Sequence, residues 1–307
     1  MYGRGGAGGG SRDRSILLTS GWNVATLDVS TASYHYIEAV AYNTAWDHDY
    51  RALAWLLAPG PEIHTELLES DGGYTWSSLG TVFDNGDTYC FPRSLIWDGD
   101  ISKWIMQYAG PHGGGDEEVG LATSPDLINW TDLGYVVTPD TAPAPADTVR
   151  LFGGGIIKVG VTYYMIVEEQ YTPLTDCDYD FGLYSSSDLA TWARVGTILQ
   201  KGAAGQWDQG GIFQSEIVYS AGDGKYVLCY GGAETADDQD ERFIGLAYAD
   251  AITGPYTRFD GNPIISTPNI MYGEPFVFWD PLHLRWRIYI RKWNPVTSQW
   301  YSYVANR

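Results

Sequence analysis

From about residue 15 onward the chain is a succession of short apolar runs cut by polar punctuation, and helical spacing is almost absent. Ile105-Met106-Gln107-Tyr108, Tyr163-Tyr164-Met165-Ile166-Val167 and Tyr226-Val227-Leu228-Cys229-Tyr230 are typical, and Gly, Asp, Asn and Pro clusters separate runs of this kind. Aromatic and β-branched residues fit a pleated, half-buried surface. Many short runs with regular turn signals predict an all-β protein.

The runs repeat. Leu95-Ile96-Trp97 crosses an Asp98-Gly99-Asp100 turn to Lys103-Trp104-Ile105-Met106, and Ile156-Ile157-Lys158-Val159 crosses Gly160 to Tyr163-Tyr164-Met165. Ile217-Val218-Tyr219 and Phe276-Val277-Phe278-Trp279 re-enter in the same way at Tyr226 and Trp286. After the hairpin comes a second unit, a Gly-Leu strand followed by an Asp turn and an aromatic residue. Trp76, Trp130, Trp192 and Tyr256 hold that last position at intervals of 54, 62 and 64 residues. A period near 60 with four strands per unit is the signature of a propeller blade, and the chain has room for about five. The Asp and Trp of each copy have a structural reading: the carboxylate caps the turn and the indole packs between blades. We therefore expect one five-bladed β-propeller of four-stranded antiparallel blades over residues 15–307. A blade buries only one face alone, so the ring must close; residues 15–30 are expected to supply the missing outer strand of the last blade.

Composition narrows the partners. Of 307 residues, Lys and Arg number 18 against 38 Asp and Glu, a formal charge of -20. Such a surface repels phosphate backbones, which argues against a nucleic-acid partner. No apolar run approaches the roughly 18 residues of a membrane helix, so membrane insertion is not expected. Cys90, Cys177 and Cys229 are too few and too scattered for a disulfide framework or a thiolate metal cluster. Residues 1–14 form a Gly-rich arm with no apolar core of a secretory signal. The expectation is that this arm packs on a neighbouring chain, in a homo-oligomer or larger assembly, with an extracellular or virion-associated setting. No cofactor is expected. The alternating carboxylates Asp176, Asp178 and Asp180 suggest calcium, but Phe181 stands where the loop needs Gly and Ser187 where it needs Glu, so an acidic solvated loop is the expectation.

The units resemble the five-bladed propellers of glycoside hydrolase families 43 and 32. The resemblance lies in the Ser-x-Asp-Leu-x-x-Trp copies at 124–130 and 186–192, and in Phe91-Pro92-Arg93-Ser94-Leu95-Ile96-Trp97 followed by Lys103-Trp104-Ile105-Met106. It implies carboxylates where the innermost strands converge on the axis, one protonating the glycosidic oxygen and another activating water or attacking the anomeric carbon. The corresponding positions hold Glu38, Arg93, Gly154 or Gly155, Glu216 and Glu274. The resemblance implies that Glu216 is the proton donor. For the acid of blade one, Glu38, Asp47 and Asp49 are candidates. The chain departs from the family in two places: Pro92-Arg93-Ser94 replaces an Arg-Asp-Pro order, and Leu151-Phe152-Gly153-Gly154-Gly155 has no carboxylate.

Arg93 and Arg150 are candidates to pair with these acids or to clamp a substrate carboxylate. Trp46, Trp207 and Trp293, with Tyr89 and Tyr272, lie near expected loops and are candidates to stack on a sugar face. Three functions compete. One is a glycosidase acting on a poly- or oligosaccharide. Another is a non-catalytic glycan- or receptor-binding module of a surface or phage assembly. The third is a sialidase-like enzyme, suggested by Asp71-Gly72-Gly73-Tyr74-Thr75-Trp76 and requiring an arginine trio. Carboxylates facing one another in an axial pocket would favour an enzyme.

Overall fold

The computed structural model describes residues 17–19, 21–26, 28–29, 35–56, 63–111, 117–139, 143–171, 179–235, 242–267, 270–294, 296 and 299–306. Among them are 21 strands and no helix. The arm at 1–14, Asp176, Cys177 and Asp178 lie outside the described residues. Asp180 accepts a hydrogen bond from Gln200 Nε2 at 2.7 Å, and no group of three or more His, Cys, Asp or Glu among the described residues is placed to hold a metal ion.

Five sheets make five blades. Blade one holds β3 (His35–Tyr42), β4 (Tyr50–Leu56), β5 (Thr65–Ser70) and β6 (Thr75–Phe83). Blade two holds β7 (Phe91–Asp98), β8 (Lys103–Pro111), β9 (Glu117–Ser124) and β10 (Thr131–Val137). Blade three holds β11 (Thr148–Val159), β12 (Thr162–Tyr171), β13 (Asp180–Ser186) and β14 (Ala193–Leu199). Blade four holds β15 (Gly211–Ser220), β16 (Lys225–Ala233), β17 (Arg242–Ala249) and β18 (Thr257–Arg258). Blade five holds β19 (Tyr272–Asp280), β20 (Arg285–Asn294) and β21 (Gln299–Asn306), and its outer strand is β1 (Asn23–Thr26) from the other end of the chain. The first strands touch in sequence, β3 to β7 to β11 to β15 to β19, and β19 touches β3, so the ring closes.

The turn motif is structural. Ser186 Oγ accepts the Leu189 N–H, Asp188 Oδ1 accepts those of Ala190 and Thr191, and Leu189 takes the left-handed φ of 66° that the tight turn demands. The Trp192 indole donates back to Leu189 O and is buried between blades; Trp130 and Leu127 repeat the arrangement. The hydrophobic clusters sit between blades. One joins residues of blades five, one and two around the fully buried Trp76, and another joins blades three and four around Phe181 and Tyr230. Cys90 and Cys229 are buried free thiols.

Closure is made twice at one seam. β1 pairs antiparallel with β21, Asn23 opposite Asn306, and the next segment, β2 (Asp28–Val29), pairs in parallel with β6 of blade one. Beneath that clasp lies a buried polar network. Arg287, on blade five, binds Asp280 Oδ2 at 2.7 Å and donates to Gly72 O of blade one at 2.9 Å. Tyr50 of blade one donates to Asp280 Oδ1 at 2.7 Å. Asp280 and Arg287 have no solvent exposure. Burial alone would raise the Asp280 carboxyl, but the Tyr50 hydroxyl, the Arg287 charge and His283 bring it below its ordinary value. Gly73 has φ +73° and packs so closely on Arg287 that a Cβ there would meet the guanidinium at 2.2 Å.

Removing one partner of a buried ion pair strands the other charge. Arg287→Met is expected to cost about 3–5 kcal/mol and lower the melting temperature by on the order of 10 °C in calorimetry. Lys225→Met, which deletes a pair with the exposed Asp250, should leave the transition where it is.

Candidate active site

The same irregularity interrupts the first strand of every blade. Pairing skips between Ile37 and Ala39, Pro92 and Ser94, Gly153 and Ile156, Phe213 and Ser215, and Gly273 and Phe276. A bulge leaves a residue unpaired and re-aims its side chain. The unpaired residues are Glu38, Arg93, Gly154-Gly155, Gln214 and Glu274-Pro275, one set per blade. Gln214 and Glu274 take φ values of 50° and 51°, a left-handed backbone that non-glycine residues rarely hold without compensation. Here the compensation is a mutual amide ring: Gln214 Oε1 accepts the Glu274 N–H at 2.7 Å, and Gln214 Nε2 donates to Glu274 Oε1 at 3.0 Å.

Three of them, Arg93, Gln214 and Glu274, line a cavity of about 370 Å³ at one end of the axis, whose walls also include Trp55, Phe91, Tyr179 and Phe213. Arg93 is its pivot. Its NH1 lies 3.5 Å from Glu38 Oε2 and 3.6 Å from Glu274 Oε1, and its Nε donates to Gly153 O at 3.1 Å. One guanidinium thus joins blades two, one, five and three. Arg291, on β20, forms a second ion pair with Glu274 Oε1 and stacks on Trp55 at 5.2 Å, while the Trp55 indole donates to Glu38 Oε1 at 2.8 Å. Glu274 Oε2 is buried with no hydrogen-bond partner among the described residues. Burial raises the Glu38 carboxyl above its ordinary range, against the lowering pull of Arg93, Arg291 and the indole.

Two further acids lie nearby. Glu168, on β12, lines the cavity and accepts the N–H groups of Gln214 at 2.8 Å and Ser215 at 2.7 Å, so it clamps the blade-four bulge. Burial nonetheless keeps its carboxyl raised, outweighing Arg93 and those N–H groups. Glu216 lies behind the wall rather than in it. It is 3% exposed, accepts its neighbour Ile217's N–H at 2.8 Å, and is pushed up to about 8 by burial, which outweighs the Ile217 N–H, Ser94 and Arg93. Blade three has no room for an axial side chain. A Cβ on Gly154 would lie 2.4 Å from Ser215 Oγ, and one on Gly155 would lie 2.3 Å from the Ile217 nitrogen.

The structure therefore brings Arg93, Arg150 and Glu274 to one cavity, while Glu38 and Glu216 are buried outside its lining, Glu38 against Arg93 and Trp55. It does not bring the others. Trp46 and Asp47 sit in the loop joining the opposite ends of β3 and β4, where Trp46 packs on Trp104 at 6.1 Å and carries Arg51 over its ring at 4.8 Å. Trp207 is packed on Tyr230 and against Gly232 and Gly245, inside blade four. Trp293, Tyr89 and Tyr272 are not in the cavity wall. Sequence reasoning missed Trp55, Glu168, Gln214, Arg242 and Arg291. Two of these had a signal: Trp55 and Arg291 each stand 17 positions after the axial acid of their blade, at the returning end of its second strand. Gln214 was hidden by Glu216, because a regular strand puts both on one face and only the bulge separates them. A larger cavity of about 600 Å³ opens at the other end of the axis, but Tyr42, Trp97, Trp104 and Trp279 dominate its wall and it holds no carboxylate.

Comparison with known proteins agrees with this architecture. The sequence profile described as Glycosyl hydrolases family 43 matches residues 154–302, just under half of the chain. Among solved structures, a thermostable family-43 glycoside hydrolase superposes with a TM-score of 0.70 at 16% identity, covering 92% of this chain and 91% of that one. An endo-1,4-β-xylanase from Bacteroides thetaiotaomicron gives 0.67 at 14% identity, with 90% and 92% covered, and a glycosyl hydrolase from Bacteroides ovatus gives 0.62 at 16%, with 89% and 84% covered. No curated protein sequence matches. In sequence over its second half and in fold throughout, the chain resembles the five-bladed β-propeller glycoside hydrolases of family 43.

Proposed function

We propose that the axial cavity engages a poly- or oligosaccharide and hydrolyses a glycosidic bond with its paired carboxylates. The observation that carries this is the sharing of one guanidinium, Arg93, by two acids of different blades, Glu38 at 3.5 Å and Glu274 at 3.6 Å. Glycoside hydrolysis needs two carboxyl groups in opposite protonation states flanking one bond. Glu274 lines the cavity as a carboxylate held by Arg93, Arg291 and Gln214. It is the base or nucleophile in this reading. Glu38, raised by burial and joined to the cavity through Arg93 and Trp55, is the proton donor in this reading. Burial pushes the Glu216 carboxyl up to about 8, which favours its neutral form near neutral pH and limits the negative charge around Arg93. Trp55, Phe91 and Tyr179 supply apolar faces for the sugar ring.

A second reading, binding without turnover, is favoured by one observation: blade three presents glycines where the resemblance calls for an acid, and packing forbids a side chain there. Reducing-sugar release and calorimetric binding, measured together on arabinan, xylan, galactan and pectin oligosaccharides, separate the two. Binding with no release by the wild type supports the second reading; absence of both overturns the proposal.

If turnover is found, Glu274→Gln should lower kcat by about 10²–10⁴-fold. Glu38→Gln should do the same on natural linkages, yet keep much of the rate on an aryl glycoside whose leaving group needs no proton. Full activity in both variants would remove these roles.

Stability gives an independent check on Glu216. Its folded value of about 8 lies above its ordinary 4.5, so the native state binds the extra proton between the two. Its contribution is complete below about pH 4.5 and is lost as pH rises toward 8. The melting temperature of Glu216→Gln should therefore rise relative to the wild type between pH 5 and pH 8; a parallel pair of curves would mean that Glu216 is not a buried neutral acid.

A further inference from the structure

The end of the propeller away from Arg93 is apolar at its centre and acidic at its rim. The far ends of β3, β7 and β19 wall its cavity of about 600 Å³, and Tyr42, Trp97, Trp104 and Trp279 are the largest side chains there. Cavities of this size with aromatic walls take a ligand or an anchoring side chain. In the turns at the same end Ile101, Val161, Leu282 and Leu284 are exposed. Exposed apolar groups rimmed by polar ones mark an interaction surface.

The rim is acidic for a structural reason. At this end lie the turns from first to second strand and from third to fourth, at 43–49, 70–74, 98–103, 125–130, 158–162, 187–192, 220–225, 250–256 and 280–285. They hold ten Asp, against Lys103, Lys158, Lys225 and Arg285. The cations are largely taken up: Lys158 by Asp98 and Asp100, Lys225 by Asp250, Arg285 by Asp280. Among the described residues Asp47, Asp49, Asp126 and Asp188 form no ion pair with Lys or Arg, so the rim keeps a negative field.

The chain itself arrives at this face. Leu17, where the described residues begin, is fully buried, and its N–H donates at 2.7 Å to Asp223 Oδ2 in the β15–β16 turn. The 16 residues before it carry Arg4, Arg12 and Arg14 against Asp13, with Tyr2 as their one aromatic group. Their charge is thus opposite to that of the rim and of the whole chain. From Leu17 back to Tyr2 an extended chain reaches roughly 50 Å. A domain of this size has a radius of gyration of about 19 Å, so the reach covers the face. A tether this short also keeps the segment at a high effective concentration there. A second copy offering the same face would set acid against acid.

We propose that residues 1–14 dock on this face of their own chain, with Tyr2 in the cavity between Trp97 and Trp279 and the arginines against the acidic rim.

The test uses the full chain with Tyr2 replaced by photoreactive p-benzoylphenylalanine, irradiated as a mixture of isotope-labelled and unlabelled protein. The expected crosslinks lie within one chain and reach residues 40–44, 95–97 or 276–281. Crosslinks joining labelled to unlabelled chains would overturn the assignment to the same chain. Crosslinks at the Arg93 cavity, or scattered without preference, would overturn the docking. Trypsin gives a second readout on the unmodified protein. The Arg4–Gly5 bond should be cut at least about tenfold more slowly than in a free peptide of residues 1–16, and the protection should fade as salt rises. Tyr2→Ser, which lies outside the propeller, should restore fast cleavage. Cleavage of the wild type at the rate of the free peptide would overturn the proposal.

Discussion

The first strands of all five blades run together at one axis, and each is interrupted there by a bulge. Everything distinctive about the site follows. Each bulge releases one or two positions from the alternation of a strand, so where the ladder is broken in each blade is set by fold geometry while the chemistry there is left to the sequence. Blade three answers with glycine because its neighbours Ser215 and Ile217 fill the space, and blade two answers with a cation.

That cation makes the remaining choices tolerable. Taking carboxylates out of water is costly, and buried acids respond by shifting toward the neutral form unless a charge meets them. Arg93 meets Glu38 and Glu274 at once. Glu216, which has the Ile217 N–H but no ion pair among the described residues, is pushed up to about 8. Glu168 takes a different course and spends both oxygens on the N–H groups of Gln214 and Ser215. The four acids therefore occupy four environments within one end of the propeller. Differences of this kind are what general acid–base chemistry uses.

The fold was legible in the sequence because it is periodic. The spacing of Trp76, Trp130, Trp192 and Tyr256 gave the blades, and the shortage of a fourth strand in the last blade pointed to closure from the N-terminal side, which β1 performs. The axial positions Glu38, Arg93, Gly154-Gly155 and Glu274 were legible for the same reason. In blade four the pattern pointed two residues too far along, to Glu216 instead of Gln214, because a bulge leaves no mark in hydrophobic alternation. Trp46, a candidate from its loop, and Asp47, a candidate for the blade-one acid, both lie in the β3–β4 loop, and a propeller has loops at both ends; theirs is at the end away from Arg93. Glu168, Arg242 and Arg291 belong to second and third strands, and their approach to the axis is a property of the closed ring rather than of any local segment. The seam between Arg287, Asp280 and Gly72, which joins positions more than 200 residues apart, was equally out of reach.

In the proposed function a sugar sits at the carboxylate end of the axis, on Arg93, Glu274 and Trp55, and not at the apolar end. A crystal structure of Glu274→Gln soaked with a slowly cleaved oligosaccharide tests it directly. The account predicts a pyranose or furanose ring against Trp55, with its anomeric carbon beside residue 274. Density for the sugar between Trp97 and Trp279 at the opposite end, with the Arg93 cavity holding only solvent, would contradict it.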